Sequence, residues 1–345
     1  MQPPDKIEPE QGAFRAGMQG TESQAFAAEA AFEADPTNLA ALAFYLGYSC
    51  ASGVLPTKLC SSVVPRIRWL IERHPGSPLM SVVAAIARPT DFAAYSELRD
   101  AWISAIDTHG GEVAVLKNAA SFFQTWDQKR TELLLRRVLD ISPSDSFSSM
   151  VLAGKIMQRA QTLPEIRPAS GQRNSVPQFD GIQLAEAIVI LETAIDSAPE
   201  TQDTSALLME LTAAAAAAND WQKSELAARR LLACVGTHEL GWMHGNAVYY
   251  GNVGIGRAAL RRGDVAEAKR RLLAALEMSG SPQLSSFGPN MSLAKELLEI
   301  GEREIVLEFF ERCRAMWKLH DDRLDAWKAI VLEGRIPDFG ANLVY

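Results

Sequence analysis

Apolar residues recur along most of this chain at spacings of three and four, which is the period of amphipathic α-helices. The helix that starts at Ala187 places a small, a large and a small residue on one face and is followed by a proline, in the order Ala187, Leu191, Ala194, Pro199. Further copies of this helix are Thr131–Pro143, with Leu135, Val138 and Pro143, and Pro65–Pro75, with Ile67, Leu70 and Pro75. Because proline cannot continue a helix, the pattern predicts a succession of short helices separated by turns.

These helices come in pairs. The segment Ile255–Leu276 contains two helices with a turn at Gly263–Asp264, and Leu293–Cys313 contains a second copy with a turn at Gly301–Glu302. The second helix occurs eight times, at intervals of 33 to 56 residues, with equivalent positions at Gln24, Val63, Leu98, Thr131, Ala187, Ser224, Ala268 and Val306. A helix pair cannot bury its apolar face alone, so the periodicity predicts an array in which each pair stacks on the next.

The segment Ile255–Leu276 resembles the tetratricopeptide repeat. The matching residues are Gly256 in the first helix, the turn at Gly263–Asp264, and Ala268, Leu272 and Ala275 in the second helix. Asn252 stands where the family has an early tryptophan. The resemblance implies an all-α, right-handed superhelical α-solenoid of seven or eight antiparallel helix pairs. The chain from Tyr249 onward also resembles bacterial tetratricopeptide-like proteins without an assigned activity, which implies a bacterial source.

The stretch Tyr249–Asp264 holds four glycines in sixteen residues and raises the question of a phosphate-binding loop. No predicted strand precedes it, and its G-x-x-G-x-G order is neither the dinucleotide nor the Walker pattern. Small residues also allow two helices to cross at close range. We therefore interpret Gly251, Gly254 and Gly256 as packing positions.

The pattern divides the chain into five segments. Residues 1–12 are rich in proline and glutamate and are predicted to be a disordered tail; residues 13–162 form N-terminal repeats. Residues 163–181 are a long Pro- and Gly-rich loop inside one repeat, which is a binding arm, a lobe junction or a plain insertion; we favour the insertion. Residues 182–330 form C-terminal repeats, and residues 331–345 are an apolar tail expected to cap the last repeat, or to form a dimer contact with Trp317 and Trp327.

Composition narrows the class of function. The 345 residues are 48% apolar and carry a net charge of -8, which disfavours general binding to nucleic acid or to an anionic membrane. The N-terminus lacks the pattern of a signal peptide and no apolar run reaches membrane-spanning length, so we expect a cytoplasmic protein. The cysteines form no Cys-x-x-Cys pair and are expected to be small, buried side chains: Cys50, Cys60, Cys234 and Cys313.

No pattern of catalytic chemistry is present. His238 and His244 are six residues apart, whereas a zinc-protease helix needs histidines four apart to reach one metal ion. No nucleophile elbow and no Cys/His pair is recognisable. The sequence therefore nominates no catalytic residue, no metal ligand and no cofactor, and the protein is predicted not to be an enzyme.

The sequence favours a binding function over a catalytic one. In tetratricopeptide proteins the first helices line a concave groove, and the resemblance places seven residues in it: Phe123, Tyr250, Val253, Arg257, Arg261, Met291 and Lys295. Arginine binds carboxylates with two parallel hydrogen bonds, so the expected partner is another protein or a peptide, acidic or C-terminal. The predicted function is a non-catalytic adaptor or scaffold. The alternative is a helical-repeat regulator or enzyme that binds a small anion or nucleic acid through Arg257, Arg261 and Lys295.

A purely structural role for the arginines is weighed equally. Residues 257–271 carry six basic and two acidic residues, whereas residues 295–312 carry three basic and six acidic ones. Such a contrast between adjacent repeats predicts ion pairs at their interface, in which Arg257 and Arg261 pair with Glu296, Glu299 or Glu302. Ion pairs of that kind would fix the order of stacking and leave fewer cations for a partner.

Overall fold

The computed structural model describes residues 9–51, 57–86, 92–162, 178–235, 243–278 and 280–343. The chain divides into two compact units, residues 1–148 (unit 1) and residues 149–345 (unit 2). Their described parts consist of α-helices, one two-stranded ladder and one short 3-10 helix. The all-α prediction is confirmed. Within the same ranges, no helix combines the length and the apolar character that crossing a membrane requires.

In the described residues of unit 1 there are eight helices and the first turn of a ninth. The helices are α1 (Pro9–Met18), α2 (Glu22–Ala34), α3 (Leu39–Ala51), α4 (Thr57–Arg73), α5 (Pro78–Ile86), α6 (Phe92–His109), α7 (Val113–Phe123), α8 (Gln128–Ile141) and α9 (Ser146–Ala160). Odd-numbered helices pack against each other, as α1 does on α3 and α5 on α7. Even-numbered helices form the second layer, where α4 packs on α6.

Two expectations about the start of the chain need correction. Helix α1 begins at Pro9, so residues 9–12 are helical rather than part of a tail. Proline suits the first turn of a helix, where its missing N–H has no intrahelical partner, and Phe14 then anchors α1 in the core at 1% exposure. In α2 the repeat frame is displaced by one residue: Gln24 is exposed, whereas Ala25 and Phe32 are buried. Gln24 instead forms a capping box with Thr21.

Unit 2 continues the same arrangement. After the ladder β1 (Gln161–Thr162) and β2 (Gln178–Phe179) come α10 (Gly181–Asp196), α11 (Ser205–Ala217), α12 (Trp221–Val235), α13 (Met243–Arg261), α14 (Val265–Ala274), α15 (Pro282–Phe287), α16 (Ser292–Glu299), α17 (Arg303–Met316), α18 (Arg323–Leu332) and a 3-10 helix (Gly340–Leu343). The ladder is antiparallel, with Gln161 opposite Phe179, and it joins the two ends of the predicted loop. Residues 163–177 of that loop lie outside the described residues.

The eight positions predicted for the second helices lie in α2, α4, α6, α8, α10, α12, α14 and α17. Seven of the eight are buried, and Gln24 is the exception. In unit 2, α13 packs on α11, α12, α14 and α16, and α14 packs on α16 and α17. Each unit is therefore a stack of helix pairs, as in an α-solenoid.

Three of the four glycines in the stretch Tyr249–Asp264 are packing positions on α13. A Cβ atom added at Gly251 would lie 2.6 Å from Leu232 Cγ, and one at Gly254 would lie 2.6 Å from Thr212 Cγ2. One at Gly256 would lie 2.5 Å from Leu293 Cδ2. A methyl group at any of these three positions of α13 would therefore require Leu232, Thr212 or Leu293 to shift. The interpretation as packing positions is confirmed.

The C-terminal segment after α18 packs on the last helices. Phe339 is 2% exposed, and its ring lies 4.9 Å from that of Trp327. Asn342 donates from Nδ2 to the carbonyl oxygens of Phe287 and Pro289, and its own carbonyl accepts the N–H of Met291 at 2.7 Å. Trp317 and Trp327 are buried in this core, so their side chains are not available as a dimer contact.

Candidate partner-binding surface

Arg257 and Arg261, one turn apart on α13, share a carboxylate of the next first helix. Arg257 donates from Nε and Nη2 to Glu296 Oε1, at 3.0 and 2.8 Å. Arg261 donates from Nη2 to the same oxygen at 2.9 Å. Glu296 lies on α16, so the three residues join α13 to α16.

Trp221, the first residue of α12, lies beneath both guanidinium groups. The Cζ atom of Arg257 is 5.1 Å from the centre of the indole ring, and that of Arg261 is 4.3 Å away. Both distances are within the range of cation–π attraction. Trp221, Arg257, Arg261 and Glu296, here called the arginine cluster, therefore connect helices from three consecutive repeats.

The arginine cluster carries more positive than negative charge. Two guanidinium groups share one carboxylate, and the side chain of Glu296 is only 13% exposed. Arg257 is 23% exposed and Arg261 is 40% exposed, so the excess charge is most accessible at Arg261. A guanidinium has five N–H donors, and Glu296 accepts only one from Arg261. The cluster can therefore accept a second carboxylate at Arg261 without losing Glu296.

Three other residues nominated on α13 and α16 are buried. Val253 is 6% exposed because α13 is covered by four neighbouring helices. Met291 is fully buried in the core of unit 2, and its backbone N–H donates to the carbonyl oxygen of Asn342. Lys295 is 6% exposed, with its ammonium group on Glu299 one turn away. Their assignment to a groove surface needs correction; Tyr250, which is half-buried and packs edge-on against Tyr249, is the only one of the four that reaches the surface.

Phe123 belongs to unit 1 and is also buried. Its ring packs edge-on against Phe122, and Arg130 covers it with Cζ 5.1 Å from the ring centre. The neighbouring positions on α7, Leu116 and Ala120, are buried as well. These residues belong to the core of unit 1, so Phe123 is not a surface residue as the repeat frame implied.

Ion pairs join the basic repeat (residues 257–271) to the acidic repeat (residues 295–312), as the structural interpretation of the arginines predicts. Besides the bonds from Arg257 and Arg261 to Glu296, Lys269 on α14 pairs with Glu302 at 2.7 Å. Lys295 is buried and paired, so Arg257, Arg261 and Lys295 do not form a wall of cations free of acidic neighbours. The small-anion alternative therefore lacks the arrangement that it needs.

A groove between the second helices α14 and α17 was not anticipated. It has a volume of about 450 Å³ and is lined by Val265, Ala266, Lys269, Arg270, Leu273, Glu302 and Ile305. Helix α14 thus has two apolar sides, one with Ala268 and Leu272 toward the core and one with Val265 and Leu273 toward this groove. In the sequence, Val265 and Leu273 are eight residues apart and lie outside the positions of the repeat frame. This spacing is the signal from which a second apolar side of α14 could have been predicted.

Groups of chemical interest are sparse in the described ranges. They hold no group of three or more His, Cys, Asp or Glu side chains arranged for a metal ion. His244 lies on α13, and His238 lies outside those ranges. Cys50, Cys234 and Cys313 are free thiols, and burial raises the pKa of Cys50 to about 11. A thiol with so high a pKa is almost fully protonated near neutral pH and is a poor nucleophile.

Comparisons with known proteins give no family for this chain. No family model matches it, and no curated protein matches it. Among solved structures it is similar to PilW, described as a widely conserved type IV pilus biogenesis factor. The two are 11% identical with a TM-score of 0.42, and the match covers 74% of this chain and 99% of PilW.

Proposed function

We propose that this protein is a non-catalytic adaptor or scaffold of the tetratricopeptide type, which binds a protein segment carrying a carboxylate at the arginine cluster. The observation that carries the proposal is the sharing of one carboxylate oxygen by two guanidinium groups, which leaves an accessible positive charge at Arg261. The stacked helix pairs, which present a long surface to a partner, support the general class.

The chemistry of the cluster favours a carboxylate over other anions. Arg261 is held against the indole of Trp221, so its planar group is fixed in one orientation before a partner arrives. A fixed, planar group of donors matches the two oxygens of a carboxylate. Because Arg261 is already held in place, ordering its side chain costs no further conformational entropy when a partner binds. The carboxylate belongs to an aspartate or glutamate side chain or to a chain terminus.

A displayed peptide library tests this proposal. Peptides with free C-termini and amidated peptides would be selected separately on the full-length wild type, on Arg261→Ala and on Arg262→Ala. Arg262 is the matched control, because it is also an exposed arginine, directly after α13, but pairs with Glu225 of α12. We expect wild type and Arg262→Ala to enrich peptides with acidic side chains or a free C-terminus, and Arg261→Ala to bind them about 3- to 10-fold more weakly.

Two results would contradict the proposal. One is enrichment of the same peptides by Arg261→Ala with unchanged affinity. The other is the absence of acidic or C-terminal sequences from the peptides that the wild type selects. Thermal melting of each variant first confirms that it is folded.

A further inference from the structure

The groove between α14 and α17 lies in the second-helix layer of unit 2, whereas the arginine cluster centres on the first helices α13 and α16. Val265, Leu273 and Ile305 are half-buried and rest on the core beneath them, and Ala266 is exposed. Burying such apolar surface against a partner would be favourable. The groove therefore has the apolar floor that a docking site requires.

The edge of the groove carries an excess of positive charge. Glu267 accepts hydrogen bonds from both Arg270 and Arg271, so one carboxylate again serves two guanidinium groups. Hydrogen bonds from Arg271 and Arg270 lower the pKa of Glu267, which keeps it ionised. The remaining ion pair at the groove, Lys269 with Glu302, is neutral as a pair. The excess positive charge is more accessible at Arg270, whose side chain is 67% exposed, than at Arg271, whose side chain is 28% exposed.

The spacing of the groove residues selects the shape of the occupant. Val265, Lys269 and Leu273 lie one turn apart on α14, so the apolar floor extends over about 12 Å along the helix. An amphipathic helix places apolar side chains at the same one-turn spacing. A helix laid between α14 and α17 would also continue the packing of helices that builds the layer itself.

We propose that this groove binds an amphipathic helix of another protein, whose apolar side chains contact Val265, Leu273 and Ile305 and whose acidic side chain pairs with Arg270. The apolar contacts provide most of the affinity, and the charge determines the register and the preference for an acidic helix. This surface is separate from the arginine cluster, so it stands or fails independently of the function proposed above.

The probe is a displayed library of helical peptides with apolar residues at i and i+4 and a solvent face randomised over acidic, neutral and basic residues. It is selected on the full-length protein and on two groove variants, Ala266→Gln and Arg270→Glu. Ala266 is exposed in a helix, where glutamine is well tolerated, so the longer side chain fills the groove without disturbing the core. The controls are Ala213→Gln, at an exposed alanine of α11, and Arg229→Glu, at an exposed arginine of α12 that pairs with Glu225.

We expect the wild type and both controls to enrich acidic amphipathic helices. Ala266→Gln should abolish this enrichment, and Arg270→Glu should weaken binding about 3- to 10-fold. Hydrogen exchange with a selected peptide should show protection in residues 265–273 and 303–306. Peptides retained by Ala266→Gln, a preference for neutral or basic helices, or no enriched helix at all would overturn the proposal. So would self-association of the wild type that Ala266→Gln abolishes, because the occupant would then be a second copy of this chain.

Discussion

At the residue scale, two glycines set the distance between the first helices of unit 1. A Cβ atom added at Gly17 of α1 would lie 2.0 Å from the carbonyl oxygen of Phe44, and one at Gly47 of α3 would lie 2.0 Å from that of Phe14. The contact is reciprocal, because each helix carries phenylalanine three residues before its glycine. Backbone meets backbone here, so no side-chain rotation can make room for a methyl group.

The substitution Gly17→Ala tests this crossing. We expect it to lower the free energy of unfolding by about 1–3 kcal/mol or more, because the two helices must separate. Gly154→Ala in α9 is the control: its Cβ would meet nothing within 4 Å, so the higher helix propensity of alanine should raise stability by about 0.5–1 kcal/mol. Denaturant titration measures both. Equal effects of the two substitutions would show that helix propensity, rather than close approach, governs Gly17.

At the element scale, α13 and α16 are joined by Glu296. The variant Glu296→Gln removes the charge that compensates two guanidinium groups, and we expect it to lower the free energy of unfolding by about 1–3 kcal/mol. Glu308→Gln is the control, because Glu308 is 46% exposed and pairs with Arg312 within α17. Its effect should stay below about 0.5 kcal/mol in the same urea titration. If Glu296→Gln is as stable as this control, the ion pairs of Glu296 do not stabilise the interface between α13 and α16.

A second ion pair makes the stability of unit 1 depend on pH. Lys117 on α7 pairs with Asp145, just before α9, at 2.6 Å. Burial raises the pKa of Asp145, but the hydrogen bonds from Lys117 and from the backbone N–H of Ser148 outweigh it, so the pKa lies below its ordinary value of 3.8. A lowered pKa in the folded state stabilises the protein above pH 3.8, and this contribution is lost as the pH falls toward the folded value.

The variant Asp145→Asn measures that contribution. Asparagine keeps an acceptor for Ser148 and loses the charge opposite Lys117, so we expect the wild type to be more stable near neutral pH by about 1.5 kcal/mol. The difference should shrink as the pH falls below about 4, because the wild-type carboxyl becomes protonated. Unfolding curves across this range give the comparison. A constant difference at all pH values would show that the Asp145 charge contributes nothing.

The second helices were predictable and the surface residues were not, for a physical reason. A second helix contributes one face to the core, so the spacing of Ala268, Leu272 and Ala275 identifies it directly. A first helix such as α13 is covered on most sides by four others. Apolar and small residues then occur on most sides of the helix, so the sequence pattern does not distinguish buried Val253 from half-buried Tyr250. Met291, also buried, is hydrogen-bonded through its backbone N–H to Asn342, which is 51 residues away in the chain.

At the scale of the whole molecule, a stack of repeats must end without exposing its core. In unit 2 the ring of Phe339 covers Trp327 and Phe310, with ring centres at 4.9 and 6.2 Å. Phe339→Ala removes this cover and should lower the free energy of unfolding of unit 2 by about 3–5 kcal/mol. The control is Phe26→Ala, at a side chain of α2 that is 59% exposed, which should change stability by no more than about 0.5 kcal/mol.

The positions along the chain at which Phe339→Ala lowers stability are as informative as the size of the loss of stability. In a repeat array each pair is stabilised mainly by its neighbours, so the loss of protection from hydrogen exchange in Phe339→Ala should be largest in α16, α17 and α18. It should decrease toward α12, and the amides of unit 1 should keep their wild-type rates. A uniform loss across residues 9–343 would instead show that the two units unfold as one cooperative body, in which the end of the stack stabilises every repeat equally.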